Sequence, residues 1–331
     1  MQKIKSLLTR QNITFLVIIA IMAILPLVLE PYPLQIMINA ELYMIFAMSL
    51  NLLMGIGGTV SFGHVAFFSI GAYTTACLWK HFGFNYGQSF IFVILVTGLA
   101  GLLLALPMSR ITGRYVTIIT LSFAEIVKLI LEYWEPVTLG NMGIVGIPQI
   151  NLFGLRLKTK AMFFYFALIL VVVTYVCMYW FVHSKLGRNV QAMRDDSIAA
   201  EAMGIKLFPH KVITFTVSAI FAGIAGSLYA HVMTYVDPGT FKNDMSFYCI
   251  SMVVLGGLGN FSGTMIGALF LTILPEYLRR FQFIFQYRMV VYGLVLVIVM
   301  WLNHSIPGDR IKKKAAELVG NLFNRRKAEV E

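Results

Sequence analysis

The sequence predicts an all-α polytopic membrane protein with about ten transmembrane helices. Of its 331 residues, 59% are hydrophobic and only 12% are charged, whereas a soluble domain is about half apolar and about a quarter charged. The apolar residues form blocks long enough to cross ~30 Å of hydrocarbon, which takes ~20 helical residues. These blocks lack the alternation of apolar and polar residues that is typical of a membrane-spanning β-strand. Because backbone groups in lipid must be hydrogen-bonded internally, we expect α-helices.

The apolar blocks define the order of the spans. The first block follows three basic residues but ends in "LPLVLEPYP", which lacks a small-residue cleavage site and therefore indicates a span rather than a signal peptide. The spans form a transmembrane domain, 13–303, between an N-terminal segment, 1–12, and a basic tail, 304–331. The predicted spans are 13–29, 36–54, 65–79, 89–107, 115–133, 161–183, 212–233, 246–258, 263–279 and 288–303.

Basic residues predict the orientation of the spans, because Lys and Arg concentrate in cytoplasmic segments. With an even number of spans, both termini and the loop 184–211 are cytoplasmic, and the segment 134–160, which carries three basic residues, is an exception on the outside. The net charge of +11 is then an orientation signal and not a nucleic-acid footprint. Helical spacing of apolar residues in the tail fits either a helix on the anionic inner leaflet or a solvated helix. The four basic clusters lie in the N-terminal segment (Lys3, Lys5, Arg10), after span four (Arg110, Arg114), in the loop 184–211 (Lys185, Arg188, Arg194, Lys206, Lys211) and in the tail.

The longest polar stretch between apolar blocks is "GRNVQAMRDDSIAAEAMGIKLFPHK", between spans six and seven. Asp195, Asp196 and Ser197 are N-cap candidates, strong helix formers follow, and Gly204 is a typical terminator. The stretch therefore predicts a helix of about two turns from Ser197 to Met203. Membrane helices can be joined by a few residues, so a loop this long is expected to be functional. Its small apolar face fits docking into another protein, or resting on lipid.

Two glycine-rich stretches, "GGTVSFGH" and "GGLGNFSG", interrupt the apolar pattern after spans two and eight. Unwound backbone of this kind can line a pathway in transporters, although a tight turn between two spans explains it as well and is favoured. His64 is expected to form a hydrogen bond at a helix end. The stripe Ser218, Ala222, Gly226 and Ala230 predicts a helix-packing face. The candidate residues of the two breaks are Ser61, Gly63, His64, Gly256, Gly257 and Gly259.

Glu125 is the one obvious carboxylate near the middle of a predicted span. Lys128 and Glu132 follow at spacings of three and four residues, so the three share one helix face. Ionisable residues within a membrane usually face the interior of the bundle in pairs. The pair Glu125–Lys128 therefore either holds two helices in register or lines a route for a zwitterion.

No catalytic or metal-binding pattern is present in the sequence. The six histidines are scattered, and Cys77, Cys177 and Cys249 lie in apolar blocks without disulfide or zinc spacing. The motif G-x-x-x-x-G-K-[ST] does not occur, so the chain has no phosphate-binding loop of its own. Energy for any transport must come from a partner or from an ion gradient.

Several stretches resemble the permeases of branched-chain amino-acid ABC transporters, in the LivM branch. The similar stretches follow one another from about residue 40 to 285, and they are "SFGHVAFFSIGAY" (61–73), "GRYVTIITLSFAEIVKLIL" (113–131) with "GNMGIVGIP" (140–148), "AMRDDSIAAEAMGI" with "SAIFAGIAGSLYAH" in the next span, and "VLGGLGNFSGTMIGALFL" (254–271). In the wider importer class a glycine commonly follows the glutamate by four residues and I-x-L-P comes next. Here Gly204 follows Glu201 by three residues, and no I-x-L-P follows.

The resemblance implies a membrane subunit of an ATP-driven importer in the bacterial cytoplasmic (inner) membrane. It implies two ATPase subunits on the inside that carry ATP and Mg²⁺, a second homologous permease, and a solute-binding protein outside, for which 134–160 is a candidate docking surface or gate. The helix in the loop 184–211 would be the coupling helix that contacts the ATPase. The remaining alternatives are an ion-coupled transporter or channel, or a permease for urea, amides or other amino acids. The implied coupling residues are Arg194, Asp195, Asp196, Ser197, Glu201 and Gly204.

Overall fold

A computed structural model describes residues 10–279 except 112, 153, 154 and 158, together with residues 290 and 293. The chain divides into two compact units, Met1–Tyr277 and Leu278–Glu331. Each of the first nine predicted spans coincides with a helix. The predicted tenth span is described only at residues 290 and 293, and the basic tail lies outside the described residues.

The helices follow the order of the apolar blocks. Among the residues that the structure describes, five helical stretches are long and apolar enough to cross a membrane, namely Gln11–Val28, Pro31–Ile56, Tyr86–Met108, Lys160–His183 and Leu207–Met233. The α-helices are α1 (Arg10–Val28), α2 (Pro31–Asn51), α3 (His64–Phe82), α4 (Tyr86–Met108), α5 (Arg114–Tyr133), α6 (Glu135–Thr138), α7 (Lys160–His183), α8 (Lys185–Asp195), α9 (Ser197–Ala202), α10 (Leu207–Met233), α11 (Asn243–Gly256) and α12 (Phe261–Leu278).

The described residues are mainly helical, as the all-α prediction requires, and four two-residue strands also occur among them. β1 (Ile144–Val145) pairs antiparallel with β4 (Tyr235–Val236), and β2 (Asn151–Leu152) pairs with β3 (Leu155–Arg156). Strands this short carry no readable alternation, so sequence periodicity could not indicate them. Three of the four precede α7, whereas α8 and α9 follow it. The segment 134–160 and the loop 184–211 therefore lie at opposite ends of α7.

The centre of the bundle is formed by α2 and α10. In the most apolar 18-residue stretches of α2 and α10, 78% and 61% of the residues are buried, against 17% in that of α1. The predicted packing face of α10 is confirmed: Ser218, Ala222 and Ala230 are fully buried, and a methyl group on Gly226 would overlap the Phe68 carbonyl of α3. Small residues thus let the backbones of α3 and α10 approach closely.

Candidate functional site

The loop between α7 and α10 contains two helices instead of the single helix that the sequence predicts. The additional helix is α8, which Ser184 caps by accepting a 3.1 Å hydrogen bond from the Gly187 amide. Its buried residues include Val190 and Met193. Their three-residue spacing is a helical signal, but the many charged residues around them concealed it.

The predicted short helix is present as α9. Asp196 is the N-cap, since its Oδ1 accepts hydrogen bonds from the amides of Ile198 (2.9 Å) and Ala199 (3.0 Å). Gly204 follows the helix with φ of +82°, a left-handed conformation that favours glycine. The terminator that the sequence indicates therefore has the expected backbone.

Two large apolar side chains project from this short helix into the surroundings. Ile198 is 81% exposed and Met203, the C-cap of the helix, is 83% exposed, whereas Ala200 is buried. Glu201 is also exposed. A capped helix with an exposed apolar pair and a neighbouring charge has the features of a docking segment.

Replacing Asp196 with Ala should loosen α9 without unfolding the bundle. Loss of an N-cap acceptor costs about 1 kcal/mol, which corresponds to a roughly fivefold faster amide exchange in the helix. Hydrogen exchange of peptides that cover 197–203 would measure the change. Asp196→Asn keeps an acceptor and is the control, expected to exchange at close to the original rate. Equal exchange in the Ala variant and the original protein would contradict the capping role.

Arg194, the last basic residue of α8, points its guanidinium group toward the end of α2. Its Nη1 donates a 2.6 Å hydrogen bond to the Gly55 carbonyl. Its Nε and Nη2 donate to Asp195 Oδ1 at 3.0 and 2.8 Å. Two of the residues that the resemblance assigns to an ATPase contact thus contact each other, and one of them also contacts the membrane helices.

The first glycine-rich break is longer than the tight turn that the sequence favours. α2 ends in a π-helical turn, Leu52–Ile56, and irregular chain follows over 57–63. The chain stays close to α5 here, because a methyl group on Gly63 would overlap the Thr120 carbonyl. Ser61 is buried and its Oγ has no partner among the described residues. The reason for the difference is packing: the segment is inserted between helices and not folded back on itself.

His64 begins α3 and is fully buried. Its Nε2 lies 2.8 Å from Ser49 Oγ, and Ser49 in turn accepts a 2.5 Å hydrogen bond from Ser218 Oγ at its carbonyl. The prediction of a hydrogen-bonding histidine at a helix end is confirmed. The side chain links α3 to α2, and through Ser49 to α10.

The second break is a tight turn, as the sequence favours. The Asn260 amide donates to the Gly257 carbonyl at 3.1 Å. Gly257 and Gly259 have φ of +94° and +80°, which L side chains rarely adopt. A methyl group on Gly256 would overlap the backbone of Gly263. Glycine is therefore needed both to turn the chain and to let α11 and α12 approach.

The two breaks contact each other, which the sequence did not predict. A methyl group on Gly55 would overlap the Gly259 amide nitrogen. Asn51 joins the two stretches: its Oδ1 accepts a 2.8 Å hydrogen bond from the Gly259 amide, and its Nδ2 donates to Thr264 Oγ1 at 2.7 Å. Asn51 is a polar residue in a mainly apolar block, which is a sequence signal that could have indicated this contact, and it is fully buried.

Glu125 and Lys128 form the predicted pair, with Lys128 Nζ 3.2 Å from Glu125 Oε1. Glu125 Oε2 also accepts a 3.1 Å hydrogen bond from Asn243 Nδ2. The cluster thus connects the middle of α5 to the first residue of α11. The Glu125 side chain remains 44% exposed, so the geometry leaves both predicted roles open.

The substitution Glu125→Gln should impair transport, because it removes the negative charge. It keeps a side-chain oxygen that can accept the hydrogen bond from Asn243, so the contact with α11 is retained. A large loss of uptake with little change in melting temperature indicates a pathway role. Lys128→Met removes the same ion pair and is the matched variant. If the two variants lose stability equally and uptake little, the pair is structural. Original uptake in the Glu125→Gln variant would remove Glu125 from the site.

A second intramembrane carboxylate was missed by the sequence interpretation, which treated Glu125 as the one obvious case. Glu41 lies in the middle of α2 and is completely buried. Neither of its carboxylate oxygens has a hydrogen-bond partner among the described residues. Such a group is costly to bury and is a functional candidate by default.

The fold and these sites define a class: a multi-pass α-helical membrane protein with glycine-rich helix breaks and a capped helix projecting from a long loop. The chain belongs to the family described as branched-chain amino acid transport system / permease component, whose sequence model matches residues 32–300.

Several known proteins are similar over most of the chain. The high-affinity branched-chain amino acid transport system permease protein LivM of Salmonella typhimurium is 31% identical, over 88% of this chain and 73% of that protein. LivM of Escherichia coli K12 is 32% identical, over 92% and 78%. A probable LivM of Methanocaldococcus jannaschii is 24% identical, over 84% and 96%. No solved structure matches significantly.

Proposed function

We propose that this chain is the membrane-spanning permease subunit of an ATP-driven importer for branched-chain amino acids. The observation that carries the proposal is α9, a capped helix with exposed Ile198 and Met203 on the loop between α7 and α10. A self-sufficient transporter has no need of such a segment. A subunit that receives force from a separate motor does need one.

The proposed partners bind at opposite ends of α7, where the segment 134–160 precedes the helix and the loop 184–211 follows it. Two ATPase subunits, which carry the ATP and Mg²⁺, dock in the cytoplasm on α9. This helix lies in the segment 184–211, called the α8–α9 loop below because it contains both helices. A solute-binding protein docks outside, where the segment 134–160 with its short strands is the candidate surface. A second, homologous permease completes the membrane part. In this arrangement both chain termini are cytoplasmic, and this chain needs no cofactor of its own.

The proposed substrate rests on the similar proteins, which are described as branched-chain amino acid permeases. Urea, short amides and other amino acids are the alternatives within the same class of importer. Leucine is therefore the probe of choice, and urea is the competitor that distinguishes the alternatives.

Reconstitution tests the proposal. The chain should be placed in liposomes with its second permease, both ATPases and the binding protein, and leucine uptake measured with ATP inside. Uptake is expected with active ATPases and not with ATPases whose phosphate-binding lysine is replaced. Uptake that is the same with the inactive ATPases would contradict the proposal.

An ion-coupled transporter is the second candidate function, and Glu41 is the observation that favours it. A buried carboxyl without a partner is a typical proton or cation site in such transporters. This candidate predicts uptake by the purified chain alone under a proton or sodium gradient. No uptake under either gradient, together with ATPase-dependent uptake in the full assembly, would exclude it.

A further inference from the structure

Arg194 caps the end of a helix that belongs to another part of the chain. The last carbonyl groups of a helix have no intrahelical donors and carry partial negative charge. The Gly55 carbonyl, in the π-helical turn that ends α2, receives the guanidinium Nη1 of Arg194 at 2.6 Å. Charge-assisted hydrogen bonds of this length are among the stronger polar contacts in proteins.

The surroundings hold the arginine in this position. Asp195 accepts from the Nε and Nη2 atoms, so the planar fork of the guanidinium is occupied on a second side. Gly58 lies under the arginine stem, and a Cβ there would be 2.6 Å from Arg194 Cγ. Gly58 also has φ of +65°. The first break is therefore shaped around this side chain.

The contact continues beyond α2 to the second break. Asn51, one turn before Gly55, accepts a hydrogen bond from the Gly259 amide and donates one to Thr264. A short path of polar contacts thus leads from the α8–α9 loop through the end of α2 to the turn between α11 and α12. Both glycine-rich breaks lie on this path.

We propose that Arg194 is a positioning residue that transmits movement of the α8–α9 loop to both helix breaks through the Gly55 carbonyl and Asn51. The inference rests on the proposed function, since it assumes that an ATPase moves the loop. A π-helical turn differs from an α-helix by one inserted residue and often marks a functional site. The end of α2 is therefore suited to change its hydrogen bonding when the α8–α9 loop, and Arg194 with it, moves.

The test compares Arg194→Gln with Arg188→Gln. Arg188 also lies on α8, but it donates to the carbonyl of His183, the last residue of α7, and not to α2. Both substitutions remove one positive charge from α8, and only the first breaks the contact with α2. In the reconstituted assembly we expect Arg194→Gln to lower leucine uptake per ATP hydrolysed by at least tenfold while the ATPases still co-purify. Arg188→Gln should stay within twofold of the original protein, and Arg194→Lys should be intermediate.

Equal coupling ratios in the Arg194→Gln and Arg188→Gln variants would overturn the inference. So would loss of ATPase co-purification in Arg194→Gln alone, because Arg194 would then belong to the docking surface. A second measurement needs neither ATP nor leucine: hydrogen exchange of peptides 255–263 in this chain alone should be faster in Arg194→Gln than in Arg188→Gln. Unchanged exchange in these peptides would contradict the inference. Because this measurement does not depend on leucine import, failure of the inference can be distinguished from failure of the proposed function.

Discussion

Replacing Ile198 with Asp is expected to abolish ATP-driven uptake while the permease folds normally. The side chain is 81% exposed, so a charge at this position removes no packing contact within the chain. Within a cleft of an ATPase, the same side chain would be a buried apolar anchor. Loss of such an anchor costs ~2 kcal/mol or more, or a ~30-fold weaker association.

The matched control is Ile198→Met, which keeps an apolar side chain of similar volume. We expect its uptake and ATPase association to stay close to those of the original protein. Melting temperatures in detergent should be the same for all three proteins. If the Asp variant associated with the ATPases and imported solute normally, the apolar face of α9 would have no docking role.

The substitution Gly55→Ala should damage the contact between the two helix breaks. The added Cβ would overlap the Gly259 amide nitrogen and Asn51 Oδ1, and the first of these is backbone that cannot rotate away. Overpacking of this kind costs about 1–3 kcal/mol. The two breaks would be pushed apart, so both thermal stability and uptake should fall.

Gly98→Ala provides the comparison for this substitution. A Cβ at Gly98 in α4 would lie 3.3 Å from Ile220 Cγ1, which is part of a side chain that can shift. Melting temperature in detergent and leucine uptake should therefore remain close to those of the original protein. If Gly55→Ala and Gly98→Ala behaved alike in both assays, the contact between the breaks would be unimportant.

The helices that coincide with the first nine predicted spans could be predicted from the sequence because each is a continuous apolar block. The helix α9 could be predicted because its caps and helix formers are local. The contact between Asn51 and Gly259 could not, because it joins residues 208 positions apart and depends on how helices pack. The hydrogen bond from Arg194 to the Gly55 carbonyl could not be predicted for the same reason. A basic residue in a polar loop is ordinarily solvated, and only the packed position of α2 brings an acceptor close to it. Glu41 was overlooked because its apolar neighbours masked a single carboxylate.

The most direct test places a photoreactive amino acid at position 198 in the assembled transporter. If α9 is the segment through which ATPases drive this permease, irradiation should join position 198 to an ATPase subunit, and ATP should change the yield. The same residue at position 27, where Leu27 of α1 is 81% exposed, should give only lipid adducts. Adducts to lipid alone at position 198, or labelling of that position from outside the cell, would contradict the account.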